Sequence, residues 1–210
     1  MTPAPGSHYF DPAPGPESGR RTLEYRVAGR MLRVTTAGGV FSPGRLDPGT
    51  GVLLRHAPRP PSHGDLLDLG CGWGPLALAM ALFSPDATVW AVDVNPRARE
   101  LTAANAADHG LARVRTAAPE EIPDDLRLAA IWSNPPIRIG KDALHALLAQ
   151  WLPRLAPGAS AWLVVQRNLG ADSLHRWLAH TLAGTAAVER AGSAKGYRVL
   201  RVRRPPASPG

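Results

Sequence analysis

The stretch Asp65-Leu66-Leu67-Asp68-Leu69-Gly70-Cys71-Gly72-Trp73-Gly74, followed by Pro75 and an apolar run to Phe83, constrains this chain more than any other. A leucine-rich run leads into three glycines spaced by one residue, and a proline stands where a helix would take its first residue. That order reads as a buried strand, a tight turn and a helix. Missing side chains in the turn let backbone N–H groups and the helix dipole approach a ligand closely. Asp93 ends the next apolar run, where a carboxylate can accept hydrogen bonds from both hydroxyls of a ribose. The G-x-G-x-G spacing differs from the G-x-G-x-x-G of dinucleotide dehydrogenases, which argues against a nicotinamide oxidoreductase. Asp68 stands just before the turn, within reach of a cationic amine. The whole unit points to a nucleoside-bearing cofactor.

From Gly64 onward apolar runs alternate with amphipathic ones, the pattern of a mostly parallel sheet with helices on both faces. Seven strands are predicted at 65–69, 88–93, 113–117, 128–133, 161–166, 187–191 and 198–202, and helices at 75–83, 96–109, 142–152 and 173–182. Upstream, β-favouring runs 22–27 and 31–36 flank Ala28-Gly29-Arg30 and read as a hairpin, and a short helix starts at Pro48 and stops before Pro58. The expected organisation is a flexible Pro-rich segment 1–18, an extension 19–61 packed on the next unit, a catalytic α/β domain 62–204 and a disordered tail 205–210.

The longest apolar run, 76–83, is far shorter than the ~18–20 residues of a spanning helix, and no signal peptide is visible, so a cytoplasmic protein without a membrane partner is expected. The single cysteine, Cys71, cannot form an internal disulfide, and the seven histidines show no metal-ligand spacing, so no metal is expected. The net charge of +7 favours polyanionic partners. Between positions 19 and 59 stand Arg20, Arg21, Arg26, Arg30, Arg33, Arg45, Arg55 and Arg59, opposed only by Glu24 and Asp47.

A second signature, Ile131-Trp132-Ser133-Asn134-Pro135-Pro136-Ile137, ends another buried strand. Successive prolines keep the chain extended past the sheet, so the Asn134 side-chain oxygen and the Pro135 carbonyl can converge as acceptors for an NH2 group. Taken together, Asp68-Leu-Gly-Cys-Gly-Trp-Gly, Asp93 and Asn134-Pro-Pro-Ile resemble the class I S-adenosylmethionine-dependent methyltransferases that act on exocyclic or amide nitrogens. The blocks His8-Tyr9-Phe10, Gly39-Val40-Phe41-Ser42, Leu46-Asp47-Pro48-Gly49-Thr50, Leu163-Val164-Val165-Gln166 and Lys195-Gly196-Tyr197-Arg198 extend the resemblance to the small-domain branch related to RsmC and YbxB.

The resemblance implies a Rossmann-like fold, S-adenosylmethionine as cofactor and guanine N2 of ribosomal RNA as leading substrate. It also implies roles. Asp68, Gly70, Gly72 and Gly74 would hold the methionine end and Asp93 the ribose, with Phe41, Gly49, Thr50, Trp73, Val94, Ala117 and Asn134 completing the cofactor site. Asn134, Pro135 and Pro136 would present the target amine, and Ser42, Ile137, Arg138, Lys141, Gln166 and Arg167 would meet the substrate. Many relatives carry an aromatic residue where Ile137 stands, for stacking on a flipped base, and an acid or amide after the third strand, where this chain has Thr116-Ala117-Ala118. Other readings stay open: methylation of a protein amide or a small molecule, or a non-catalytic module in ribosome assembly. Either a monomer or a homodimer is compatible with the sequence.

Overall fold

The structure, a computed structural model, describes residues 19–207. The expectations for segment 1–18, including the His8-Tyr9-Phe10 block, and for 208–210 lie outside the described residues. Strands β1 (Arg21–Val27) and β2 (Arg30–Thr36) form an antiparallel hairpin. Its turn is Ala28-Gly29 alone, since Arg30 pairs with Val27 in the ladder. Both turn residues have positive φ, the handedness that matches strand twist in a two-residue loop. Helix α1 (Pro48–His56) follows, with Pro48 in its first turn and Asp47 accepting from the Thr50 N–H as its cap.

The remaining chain alternates β3 (Asp65–Leu69), α2 (Pro75–Phe83), β4 (Thr88–Val92), α3 (Pro96–Asp108), β5 (Val114–Ala117), β6 (Leu128–Ser133), α4 (Lys141–Trp151), β7 (Leu155–Gln166), α5 (Ala171–Thr181), β8 (Ala187–Ala194) and β9 (Tyr197–Arg203). One seven-stranded sheet results, in the order β5-β4-β3-β6-β7-β9-β8, with β9 antiparallel to both neighbours. The expected mixed, mostly parallel sheet and the N-terminal hairpin are both present. Strand β7 begins at Leu155 rather than at 161. Leu155 pairs with Leu128 before an irregular stretch, and the intervening Pro157-Gly158 looks like a turn in sequence.

Alternation along β3 distributes the core. Leu66 points to the layer formed by α1, α2, α3 and the hairpin, whereas Leu67 and Leu69 point to the layer under α4 and α5. Asp68 shares the Leu66 side, directly beneath the start of α2, whose Ala77 N–H it accepts. The chain runs outward through β3, β4 and β5 and then returns to β6 on the other side of β3. The crevice beyond the carboxyl ends of β3 and β6 is therefore the topological switch point, where open α/β sheets place their ligands.

The hairpin is locked onto this frame by Asn105 of α3, which is fully buried. Its Oδ1 accepts from the Thr35 N–H at 2.7 Å, and its Nδ2 donates to the carbonyls of Thr35 and Trp73, both at 2.9 Å. Asn105→Ala leaves these main-chain groups without partners, and the urea-unfolding free energy should fall by about 3 kcal/mol. A loss below about 1 kcal/mol in that titration would mean that water or another side chain replaces the amide.

Candidate active site

The turn at residues 70–74 is built from left-handed glycines: Gly70, Gly72 and Gly74 have φ of +78°, +58° and +95°. A Cβ on Gly74 would also stand 3.0 Å from the Thr102 side chain, so no larger residue fits. Three side chains hold the turn. Asp93 Oδ2 accepts from the Gly72 N–H at 3.0 Å, Thr102 Oγ1 donates to the Gly72 carbonyl at 3.1 Å, and Asn105 holds Trp73. Asp93 Oδ1 accepts from the Asn95 N–H, which fixes the carboxylate at the end of β4 while leaving lone pairs for a further donor.

Beside this turn lies a cavity lined by Phe41, Ser42, Asp47, Thr50, Asp68, Gly70, Cys71, Gly72, Trp73, Pro75, Leu76 and Asn134. Eight of these positions, Phe41, Ser42, Thr50, Asp68, Gly70, Gly72, Trp73 and Asn134, are among those expected from sequence. Asp68 is 1% exposed, and its Oδ1 has no hydrogen-bond partner among the described residues. Burial, with a smaller contribution from the Asp93 charge, pushes its carboxyl up to about 8 against the pull of the Ala77 N–H. Burial also raises Asp93, opposed by the N–H groups of Asn95 and Gly72 and by Arg99. A buried acid with one unpartnered oxygen, under a turn without side chains, suits a cationic amine.

Asn134 follows β6, and its orientation is determined by α1. Its Nδ2 donates to Asp47 Oδ2 at 2.7 Å and to Thr50 Oγ1 at 3.1 Å, so its Oδ1 is left as the acceptor. Asp47 caps α1, a role shown by the structure. Its bond to Asn134, 87 positions away, has no local signal. Gly49, in the same turn, is buried against Tyr197, whose ring would stand 2.7 Å from any Cβ there.

Other expected positions stand outside the cavity wall. Gly74 immediately precedes α2, Val94 is 42% exposed, and Ala117 is buried at the end of β5. Pro135 is buried, and Pro136 approaches Gly70. Ile137 is half-buried: it begins a short 3-10 turn and packs in part against the core layer under α4 and α5. Arg138, Lys141 and Arg167 are exposed, and Gln166 pairs with Tyr197 at the sheet end. Trp73 turns its ring edge-on to Tyr25 at 5.5 Å, as a core residue does. Cys71 is buried, which pushes its thiol up and fits packing rather than nucleophilic chemistry.

Comparison with known proteins bears on this geometry. Residues 31–201 match the family model described as the methyltransferase small domain. The chain is 30% identical to the Bacillus subtilis protein YbxB over 200 residues, spanning 94% of this chain and 98% of that one. It is 34% identical to ribosomal RNA small subunit methyltransferase C of Pseudomonas fluorescens, covering 86% of this chain and 54% of that enzyme. Among solved structures, the Thermus thermophilus 16S rRNA N2 methyltransferase RsmC in complex with AdoMet and guanosine superposes with a TM-score of 0.74 at 25% identity. That match covers 91% of this chain and 52% of the other, so the chain spans about half the length of these RsmC proteins.

The buried acid has a consequence for stability. An unfolded aspartate ionises near 3.9, whereas Asp68 in the ligand-free fold holds its proton to about 8, so folding takes up a proton between those values. Stability of the ligand-free protein should therefore fall as pH rises from about 4 towards 8. Urea midpoints at pH 5 and pH 8 measure this. Asp68→Asn should flatten the difference, and an unchanged slope in that variant would assign it to other groups.

Proposed function

The chain belongs to the methyltransferase small domain family, and from that premise we propose that it transfers a methyl group from S-adenosylmethionine to an exocyclic base amine, guanine N2 of ribosomal RNA. The observation that carries this reading is the fixed amide of Asn134, a residue that lines the same cavity as Asp68 with its unpartnered Oδ1. S-adenosylmethionine, when bound, supplies a methyl group already activated on a sulfonium. What remains for the protein is position and electrostatics.

Asp68 receives the ammonium of the methionine end, and the Gly70–Gly74 turn allows close approach of its backbone. Asp93 accepts from the ribose hydroxyls with its remaining lone pairs. Asn134 Oδ1 accepts one N–H of the target amine, and the Pro135 carbonyl, which accepts no hydrogen bond among the described residues, accepts the other. This would leave the nitrogen lone pair free of protein donors and available to the methyl group. Both acceptors stabilise the positive charge that develops on nitrogen, and the proton then leaves to water. No nucleophile of the protein is required. The RsmC relatives support the RNA assignment through their names, as does the +7 charge.

Asp47 and Thr50 act as positioning residues. An Asn134 flip would set its NH2 against the target NH2 and its amide oxygen against the Asp47 carboxylate. Asn134→Ala should abolish transfer while sparing cofactor affinity. Thr50→Val should lower kcat by roughly tenfold, the cost of about one hydrogen bond, and Thr50→Ser should restore it. If Thr50→Ser is as impaired as Thr50→Val, the hydroxyl does not act through Asn134.

The substrate is tested by incubating the protein with radiolabelled S-adenosylmethionine and, separately, ribosomal RNA, each ribosomal subunit and total protein, with Asn134→Ala as control. Label recovered as N2-methylguanosine after nucleoside digestion is the expected result. Label in protein alone, or none with any RNA, would overturn the RNA reading.

A further inference from the structure

Outside the catalytic cavity, a second concavity of about 220 Å³ opens between the hairpin turn and α1. Leu46, Leu54 and Phe83 are among its apolar lining residues, and Arg26 of β1 and Arg55 of α1 line it as well. Leu46 and Gly51, which line this groove, are the chain neighbours of Asp47 and Thr50, which line the catalytic cavity. The start of α1 is thus the partition between the two.

Among the described residues no carboxylate lines the groove. Outside that lining, the Arg59 guanidinium stands over the Phe83 ring, 5.6 Å from its centre. The ion pairs among the described residues are made by Arg190, Arg198 and Arg201, at the far edge of the sheet, and none by these three arginines. Guanidinium forks suit phosphate oxygens, and apolar or aromatic side chains beside them suit the face of a base. An anion alone would need the charges but not the apolar floor.

Resting on the reading of RNA as substrate, we propose that this groove holds the nucleotide next to the target base in a single-stranded segment. Its phosphate lies at Arg26 and Arg55, and its base lies on Leu46, Leu54 and Phe83. Helix α1 then orders both ends of the exchange, fixing Asn134 on one side and the flanking nucleotide on the other.

The test is fluorescence anisotropy with a labelled single-stranded, guanosine-containing RNA oligomer across a salt series, alongside methylation of the same RNA. One variant combines Arg26→Gln and Arg55→Gln. A second, Gly51→Leu, fills the groove from the helix, where a Cβ meets only Arg55 Nη1 at 3.5 Å and Leu46 Cδ2 at 3.8 Å. A third, Arg113→Gln with Arg176→Gln, removes the same charge at positions outside the groove. The arginine pair and the filled groove should each weaken RNA binding by at least about tenfold. The arginine pair should also lower the salt slope by roughly 0.7 for each phosphate that is no longer neutralised. Cofactor affinity and thermal midpoint should hold, and the third variant should bind as the wild type does.

Equal losses in all three variants, or displacement of the RNA by polyglutamate as readily as by unlabelled RNA, would reduce the effect to net charge and overturn the groove. Groove variants that bind and methylate like the wild type overturn the groove while leaving the RNA reading intact. A wild-type protein that neither binds nor methylates RNA overturns both.

Discussion

A turn of three left-handed glycines has little to hold itself in one conformation, and the site depends on the hydrogen bonds that do so from outside. Asp93 fixes the Gly72 N–H, Thr102 the Gly72 carbonyl and Asn105 the Trp73 carbonyl. Each of these side chains comes from β4's end or from α3, the elements that follow the turn in the chain. The glycines remove the steric barrier to a close approach by ligand, at a conformational cost that the next strand and helix offset.

Two polar groups in the cavity then have opposite histories. Asp68 is left with one unpartnered oxygen beneath the turn, an electrostatic arrangement that favours arrival of a cation. Asn134 is fully committed on its donor side, so the remaining oxygen has a single chemical sense. The first group waits for charge and the second dictates direction. A site of this kind selects its ligands by what it has left unsatisfied.

Much of this is legible from the chain. The Asp68-to-Gly74 block, Asp93 and Asn134-Pro-Pro carry local signals, because strand ends, turns and helix starts are encoded over a few residues. The limits of β3, α2 and β6 follow from the same signals. What escapes is non-local. Asp47 stands before a helix-starting proline, and nothing near it in sequence indicates a partner at Asn134. Ile137 follows Asn-Pro-Pro, and its partial packing against the core layer under α4 and α5 has no signal in the neighbouring sequence. Strand β7 reads as too short because Pro157-Gly158 resembles a turn, while pairing of Leu155 with Leu128 is visible only in the folded sheet.

The double duty of Asp47 Oδ2 ties the chemistry to the integrity of the extension. The same oxygen caps α1 through the Thr50 N–H and holds the Asn134 amide. If the first turn of α1 frays, the amide loses its constraint at once, even with the sheet and the glycine turn intact. With Asn134 in the proposed role, a partly assembled chain would be silent rather than promiscuous: it cannot present an oriented acceptor until segments far apart in sequence have met. Completion of folding is itself the licence to act.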